Sequence, residues 1–257
     1  MENKRHVNFK NRTGEKFITK EGYEVEIIDY SNKSECTITF NDDKKTTVKN
    51  SKFCDIKKGN IKNPNHKSVC SIGYLGQGNF KPNEYKKPKK SYTAWTNLLH
   101  RCYDKRQPSY KDVTVCEEWH NYQHFTQWYE DNYKEYMING WDLDKDILCK
   151  ECKIYSPETC VFVPQEINKL FTKSNTIRGK YPIGVNYDKR NKKFVTQLNN
   201  GNKNQTHIGY FNTIEEAFQA YKTAKEAYIK EVADKWRHLI TEQTYQALIN
   251  YNIEITD

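Results

Sequence analysis

An α+β fold is predicted by three features of this 257-residue sequence. Residues 22–53 alternate β-branched and polar side chains as half-buried strands do. Two stretches between residues 91 and 129 repeat apolar residues at helical spacing. Three short strand-like segments between residues 182 and 211 run directly into a capped helix. Strands and helices grouped in this way, rather than alternating as βαβ units, predict antiparallel sheets with helices packed on them.

The composition, 36% apolar and 29% charged, is that of a globular chain with a core of its own. A formal charge of +9 together with 19 Tyr and 5 Trp makes a polyanion the most economical partner, against the plainer reading of a basic soluble protein. No apolar run approaches the ~18 residues of a membrane span, and Met1–Arg5 lacks a signal-peptide core, so a cytosolic protein with no membrane partner is expected. Eight cysteines without an export signal point to free, buried or metal-bound thiols rather than disulfides.

In chain order, EVEIIDY (24–30), CTITF (36–40) and TTVKNS (46–51) are strand-like, with Asn41-Asp42-Asp43 as a turn, so residues 1–60 form a small β-barrel or meander. Residues 61–91 are rich in Gly, Pro, Asn and Lys with no apolar period and read as a basic linker. Its Lys86, Lys87, Lys89 and Lys90 suit either a phosphate backbone or a solvated charge run. Trp95, Leu98, Leu99 and Cys102 share one face of a helix starting near Ser91. DVTVC (112–116) is a short strand, and Trp119, Tyr122, Phe125, Trp128 and Tyr129 follow at helical spacing. Cys116, His120 and His124 lie four apart and are a candidate metal stripe lacking a fourth ligand.

PIGVNY, KKFVTQL and THIGYF, divided at 188–191 and 199–204, predict a three-stranded antiparallel meander. Thr213 caps the next helix, with Glu216 completing a capping box, and Ala217, Tyr221, Ala224 and Tyr228 line its inner face. A further short helix is expected within 235–257.

The segment from Gly184 to Tyr221 resembles the Apetala or ethylene-response-factor DNA-binding domain. The matching residues are Gly184-Val185, Lys193-Phe194, Ile208-Gly209-Tyr210-Phe211, Glu216-Ala217 and Ala220-Tyr221. The resemblance covers about sixty residues and implies a sheet in the major groove of double-stranded DNA. It makes Asn186, Arg190, Gln197 and Asn199 candidate base readers, with Lys189, Lys192 and Lys193 on the phosphates. Plant members carry several arginines and a tryptophan where this chain has Asn186, Asp188 and Arg190, so their target sequence does not transfer.

A second resemblance covers roughly residues 92–172. Trp95 with Arg101-Cys102-Tyr103, Val115–Trp119, Leu143-Asp144-Lys145-Asp146, Tyr155–Cys160 and Asn168 together resemble the HNH-type endonuclease-like proteins of bacteriophages. In that family a β-hairpin and a helix enclose one divalent metal, which implies a ββα-metal-like domain over 92–175 and an Apetala-type domain with its C-terminal helix over 176–257. The family's first-strand, loop and helix positions fall at Asp144, Thr159 and Asn168. Asp144, Asp146 and Asn168 become candidate ligands for Mg²⁺ or Mn²⁺, and Asp144, Thr159 and Asn168 the candidate catalytic set.

Read as an extended strand, DLDKD places Asp142, Asp144 and Asp146 on one side, with Asn168 arriving on a helix after the VFVPQE turn. The family's histidine base is absent, because no histidine occurs between His124 and His207. A carboxylate would serve as a weaker base, or His100, His120 or His124 would have to fold in. Cys149-x-x-Cys152 with Cys160 offers three ligands for a structural Zn²⁺, against free thiols.

Two functions follow from these resemblances. One is a phage or mobile-element DNA endonuclease that uses a divalent metal. The other is a catalytically inactive nuclease fold in an infected bacterial cell, acting as a regulator or a counter-defence inhibitor by binding DNA or a host defence protein or nuclease complex. An RNA-binding module is a third reading, and the oligomeric state is not specified by the sequence.

Overall fold

The computed structural model describes residues 10–104, 106–137, 140–150, 152–171, 180–199 and 205–256. Strands β1 (Lys16–Ile18), β2 (Glu24–Asn32), β3 (Glu35–Phe40) and β4 (Thr47–Ser51) pair in sequence order as an antiparallel meander. It does not close into a barrel among the described residues, so of the two expected forms the meander is the one present. Val25 pairs with Phe40 and Ile27 with Ile38, which puts the alternate apolar residues on one face, buried with Ile56 of α1 (Phe53–Lys57). The expected turn at 41–43 is held by Asp42, which accepts from Thr46 N at 2.8 Å, Thr46 Oγ1 at 2.6 Å and Asn63 Nδ2 at 2.8 Å.

Residues 61–91, expected as a linker, are folded. Gln123 donates to Leu75 O and Phe80 O and accepts from Phe80 N, each at 3.0 Å, so one buried amide fixes both ends of the glycine-rich turn. Gly73 lies so close to the helix that follows that a Cβ there would stand 2.4 Å from Leu99 Cδ1. The segment ends in a short hairpin, β5 (Asn83–Glu84) with β6 (Lys87–Pro88). Side-chain-to-backbone bonds and close glycine contacts leave no apolar period, which is why composition alone reads as a tether.

Helix α2 (Lys90–Tyr103) buries Trp95, Leu98, Leu99 and Cys102, the face its spacing predicts. Trp119 sits on a 3₁₀ turn, Glu117–His120, ahead of α3 (Tyr122–Asn132). The expected single helix is therefore broken at Asn121. Trp95 Nε1 donates to Trp119 O at 2.7 Å, satisfying the indole inside the core.

The chain divides into two compact units, Met1–Lys111 with Glu117–Gln127, and Asp112–Cys116 with Trp128–Asp257. The division falls within α3 rather than at the boundaries expected near 60, 91 and 175.

In the second unit, β7 (Thr114–Val115) runs parallel to β9 (Ile154–Tyr155), and β8 (Trp141–Asp144) antiparallel to β10 (Val161–Pro164). VFVP, expected as a turn, is thus a strand, and α4 (Gln165–Leu170) follows it directly. The result is a hairpin-and-helix unit. Strands β11 (Val185–Asp188), β12 (Lys193–Leu198) and β13 (Thr206–Phe211) form the expected three-stranded antiparallel sheet. The second connecting turn, expected at 199–204, lies outside the described residues after Asn199.

Helix α5 (Ile214–Trp236) carries the capping box: Glu216 N donates to Thr213 Oγ1 at 3.2 Å and Thr213 N to Glu216 Oε2 at 3.3 Å. Ala217 and Tyr221 are buried as expected, whereas Ala224 and Tyr228 are half-buried and the buried stripe continues through Lys225, Ile229 and Val232. Helix α6 (Glu242–Ile249), capped by Thr241, closes a core in which Val163 and Ile167 meet Val185, Tyr221 and Leu248.

Candidate functional site

The β11–β13 sheet has one face closed by α5 and one face open. On the closed side Val185, Thr196 and Leu198 are buried, and Thr196 Oγ1 donates to Ala217 O at 2.9 Å. Strand alternation then turns Asn186, Lys193, Val195 and Gln197 outward. Cross-strand pairing sets Asn186 beside Val195, Val195 beside Tyr210, and Gln197 beside His207. A register shift between Thr196 and Gln197 accompanies the close approach of the His207 and Tyr210 rings, 4.9 Å between centroids.

At one end of this face, Asp188 organises the β11–β12 turn. It accepts from Arg190 N at 2.8 Å, Asn191 N at 3.2 Å and Asn191 Nδ2 at 2.7 Å. Those bonds, the Asn191 backbone N–H first, hold its carboxyl below the usual range. Lys189, Arg190 and Lys192 are exposed around it. Of the expected base readers, Asn186 and Gln197 lie on the open face, Arg190 lies in the turn among the phosphate-type cations, and exposed Asn199 follows β12. Val195, His207 and Tyr210, which complete the face, are not among the candidate DNA contacts of the sequence, where Tyr210 figures only in the Ile208–Phe211 match. Alternation around Gln197 could have placed Val195, but only the strand register places the other two.

The other expected cationic group lies in the first unit. Lys86 and Lys87 are exposed on the β5–β6 hairpin, Lys89 is half-buried after it, and exposed Lys90 opens α2.

In the hairpin-and-helix unit the expected carboxylates separate. Strand β8 ends at Asp144, so Asp142 and Asp144 share a side while Asp146 falls in the following turn, exposed and paired with Lys145. Asp142 Oδ2 accepts from Asn168 Nδ2 at 2.9 Å, tying β8 to α4. Asp144 Oδ1 accepts from Asp146 N at 2.8 Å and Ile147 N at 2.9 Å, and burial pushes its carboxyl up, with the Asp146 charge adding. Lys145 is buried, with Nζ donating to Cys152 O at 3.0 Å.

Thr159 is an internal staple of the Ser156–Thr159 turn. Its Oγ1 donates to Ile154 O at 2.8 Å and accepts from Ser156 N at 3.1 Å. The structure thus brings Asp142 and Asn168 together and gives Asp144 and Thr159 separate local partners. Among the described residues no three His, Cys, Asp or Glu side chains converge as ligands for a metal ion.

Cys149 and Cys152 are joined in a disulfide, so neither offers a thiolate to Zn²⁺ in this state. Cys160 is buried beside Thr159, its thiol pushed up to about 12 by desolvation, with the Asp144 and Cys116 charges adding. Cys116 precedes the 3₁₀ turn and donates its backbone N–H to Tyr155 O at 2.9 Å, so it shares no helical face with His120 and His124. In the first unit, His120 and His124 line a cleft of about 1150 Å³ with Tyr23, His66, Tyr74 and Glu117. His120 Nε2 lies 3.3 Å from Tyr103 OH, and His66 Nδ1 lies 3.1 Å from Tyr23 OH. His100 Nδ1 faces Cys70 Sγ at 3.3 Å.

No helix among the described residues is long and apolar enough to cross a membrane. Comparison with protein-family models, curated proteins and solved structures finds no match to this chain.

Proposed function

We propose that this chain is a duplex-DNA-binding protein that meets the major groove with the open face of β11–β13 and uses the hairpin-and-helix unit as a scaffold. The observation that carries this reading is the face itself: Asn186, Gln197, His207 and Tyr210 turned outward on a sheet whose other side is sealed by α5, with Lys189, Arg190, Lys192 and Lys193 at its end. Strands about 4.8 Å apart make a three-stranded sheet roughly 10 Å across, within the ~12 Å width of the major groove. Amides read base edges there, while cations neutralise phosphates. The resemblance to the Apetala-type domain and the net charge of +9 point the same way.

The scaffold role is supported by the local partners of Asp144 and Thr159 described above. In this reading the chain acts by occupying DNA, as a regulator or a counter-defence inhibitor would. The test is binding of short duplexes across a salt series. Removing Lys189 and Lys192 together should weaken all sequences alike and lower the salt slope by about 2. Asn186→Ala and Gln197→Ala should instead relax sequence preference. Failure of the intact protein to retain duplex DNA at low salt, or a preference for RNA in competition, would sink the reading.

A second reading is favoured by the Asp142–Asn168 contact, which puts a strand carboxylate, though not that of the expected Asp144, beside Asn168, the helix position where the HNH resemblance expects a metal ligand. Mg²⁺ or Mn²⁺ there would supply charge stabilisation for phosphodiester hydrolysis. Asn168 Oδ1 and Asp142 Oδ1 are the atoms of this chain not engaged in that contact. Nicking of plasmid DNA that requires Mg²⁺ or Mn²⁺ and is lost in Asn168→Ala would establish it. Binding without cleavage under either ion would leave the scaffold reading standing.

A further inference from the structure

Resting on the duplex-DNA reading, we infer that the β5–β6 hairpin is a second DNA contact, in which the Tyr85 ring wedges into a base step and Lys86 and Lys87 neutralise flanking phosphates. Tyr85 stands at the tip of this hairpin, 94% exposed, the most exposed of the large apolar side chains among the described residues. Its two-residue loop, Tyr85-Lys86, has positive φ at both residues, 48° and 64°. That mirror-image turn matches the strand twist but strongly favours Asn-Gly, because a β-carbon is strained in the left-handed region. An aromatic and a long cation at these two positions work against the fold of the turn. Such choices cluster where a side chain has a role outside the fold.

The stem beneath the tip is anchored. Asn83 pairs with Pro88 and Glu84 with Lys87, and Lys89 N donates to Pro82 O at 2.8 Å. Below it, Phe80 is held at both backbone atoms by buried Gln123, and Lys81 O accepts from Tyr122 OH at 3.3 Å. A two-stranded hairpin alone is marginal in water, so this rooting is what presents the tip in one conformation. Residues 81–90 hold five lysines against one glutamate. A ring flanked by cations suits a wedge that partly unstacks one base step of a duplex while the cations hold the phosphates on either side, without reading base edges.

The two parts have separable signatures in a salt series on a fluorescent duplex. Tyr85→Ala should weaken binding about tenfold with the salt slope unchanged, and Tyr85→Phe should restore it. Lys86→Ala with Lys87→Ala should lower the slope by about 2. Tyr85→Asn with Lys86→Gly installs the favoured turn, so its Tm should rise while its affinity falls, which separates contact from folding. The inference is overturned if the Tyr85→Ala and Asn-Gly variants bind as the parent does. If Asn186→Ala and Gln197→Ala still weaken the parent's binding in that case, the sheet reading survives without the hairpin. If the parent binds no duplex at all, both fall.

Discussion

Asn168 of α4 donates its Nδ2–H to Asp142 Oδ2 on β8 at 2.9 Å, and this bond locks the helix onto the strand pair that precedes it. A half-buried hydrogen bond to a charged acceptor contributes about 1.5–3 kcal/mol, and truncation leaves Asp142 without that donor. Asn168→Ala is therefore expected to lower Tm by several degrees. Asn168→Asp should lower it further at neutral pH by facing two carboxylates, and should regain part of the loss on acidification. Thermal melts at pH 7 and pH 4 check this. Unchanged melting of both variants would show that the bond holds nothing together.

Gly184 enters β11 with φ of +75°, and a Cβ there would stand 2.0 Å from Tyr221 Cδ2. Left-handed backbone costs a non-glycine residue about 1–2 kcal/mol, and overpacking against a buried ring a further 1–3 kcal/mol. Gly184→Ala should therefore destabilise by roughly 2–5 kcal/mol. Combined with Tyr221→Ala it should cost less than the sum of the two single changes, because the clash disappears with the ring and only the backbone term remains. Urea melts of the four proteins of the cycle measure that coupling, and strict additivity would contradict the contact.

These two contacts mark what the sequence could and could not say. The strands around Val185 and Phe194, the capping box at Thr213 and the Trp95 face of α2 follow from local spacing, and each stands where spacing puts it. Asp142 was legible as one of three alternating aspartates, but not as the partner of Asn168, since that pairing depends on VFVP being a strand rather than a turn. Gln123, which folds 61–91 onto its own unit, looked like one polar residue among many. Its role is set by backbone groups more than forty residues away, a distance at which periodicity carries no information. On the open sheet face, Asn186 and Gln197 are singled out in the sequence by the Apetala-type resemblance, whereas the place of His207 and Tyr210 depends on the register of β13.

Asp144 separates structure from chemistry. Its Oδ1 accepts two backbone N–H groups, and burial raises its carboxyl. With the folded value raised, the contribution to stability is full at acid pH and declines as pH climbs through the carboxylate range toward that folded value. Asparagine keeps the accepting oxygen and removes the desolvated charge, so Asp144→Asn is expected to melt no lower than the parent at pH 7 and to flatten this decline. If Mg²⁺-dependent nicking is found and Asp144→Asn abolishes it at unchanged Tm, the carboxylate acts in hydrolysis. A fall in Tm instead would mean the charge itself supports the turn.

Lys225 lies in the buried stripe of α5, 7% exposed, and desolvation holds its ammonium from the ordinary 10.5 down to about 8. The Tyr228 ring, 5.9 Å away, is the cation's only aromatic support among the described residues. Below about pH 8 both folded and unfolded chains carry the proton and the burial penalty is constant. Between about 8 and 10.5 the unfolded chain holds the proton that the folded chain has released, so this group makes stability rise with pH across that window and level off above it. The full rise is roughly 3 kcal/mol. Methionine fills the same volume without charge, so Lys225→Met should stabilise the protein by about 1–3 kcal/mol at pH 7 and remove this rise. The difference between parent and variant stability, measured by urea melts from pH 7 to 10.5, isolates this group from the other lysines and tyrosines titrating there. A difference that stays flat across the window would place the ammonium in water rather than in the stripe.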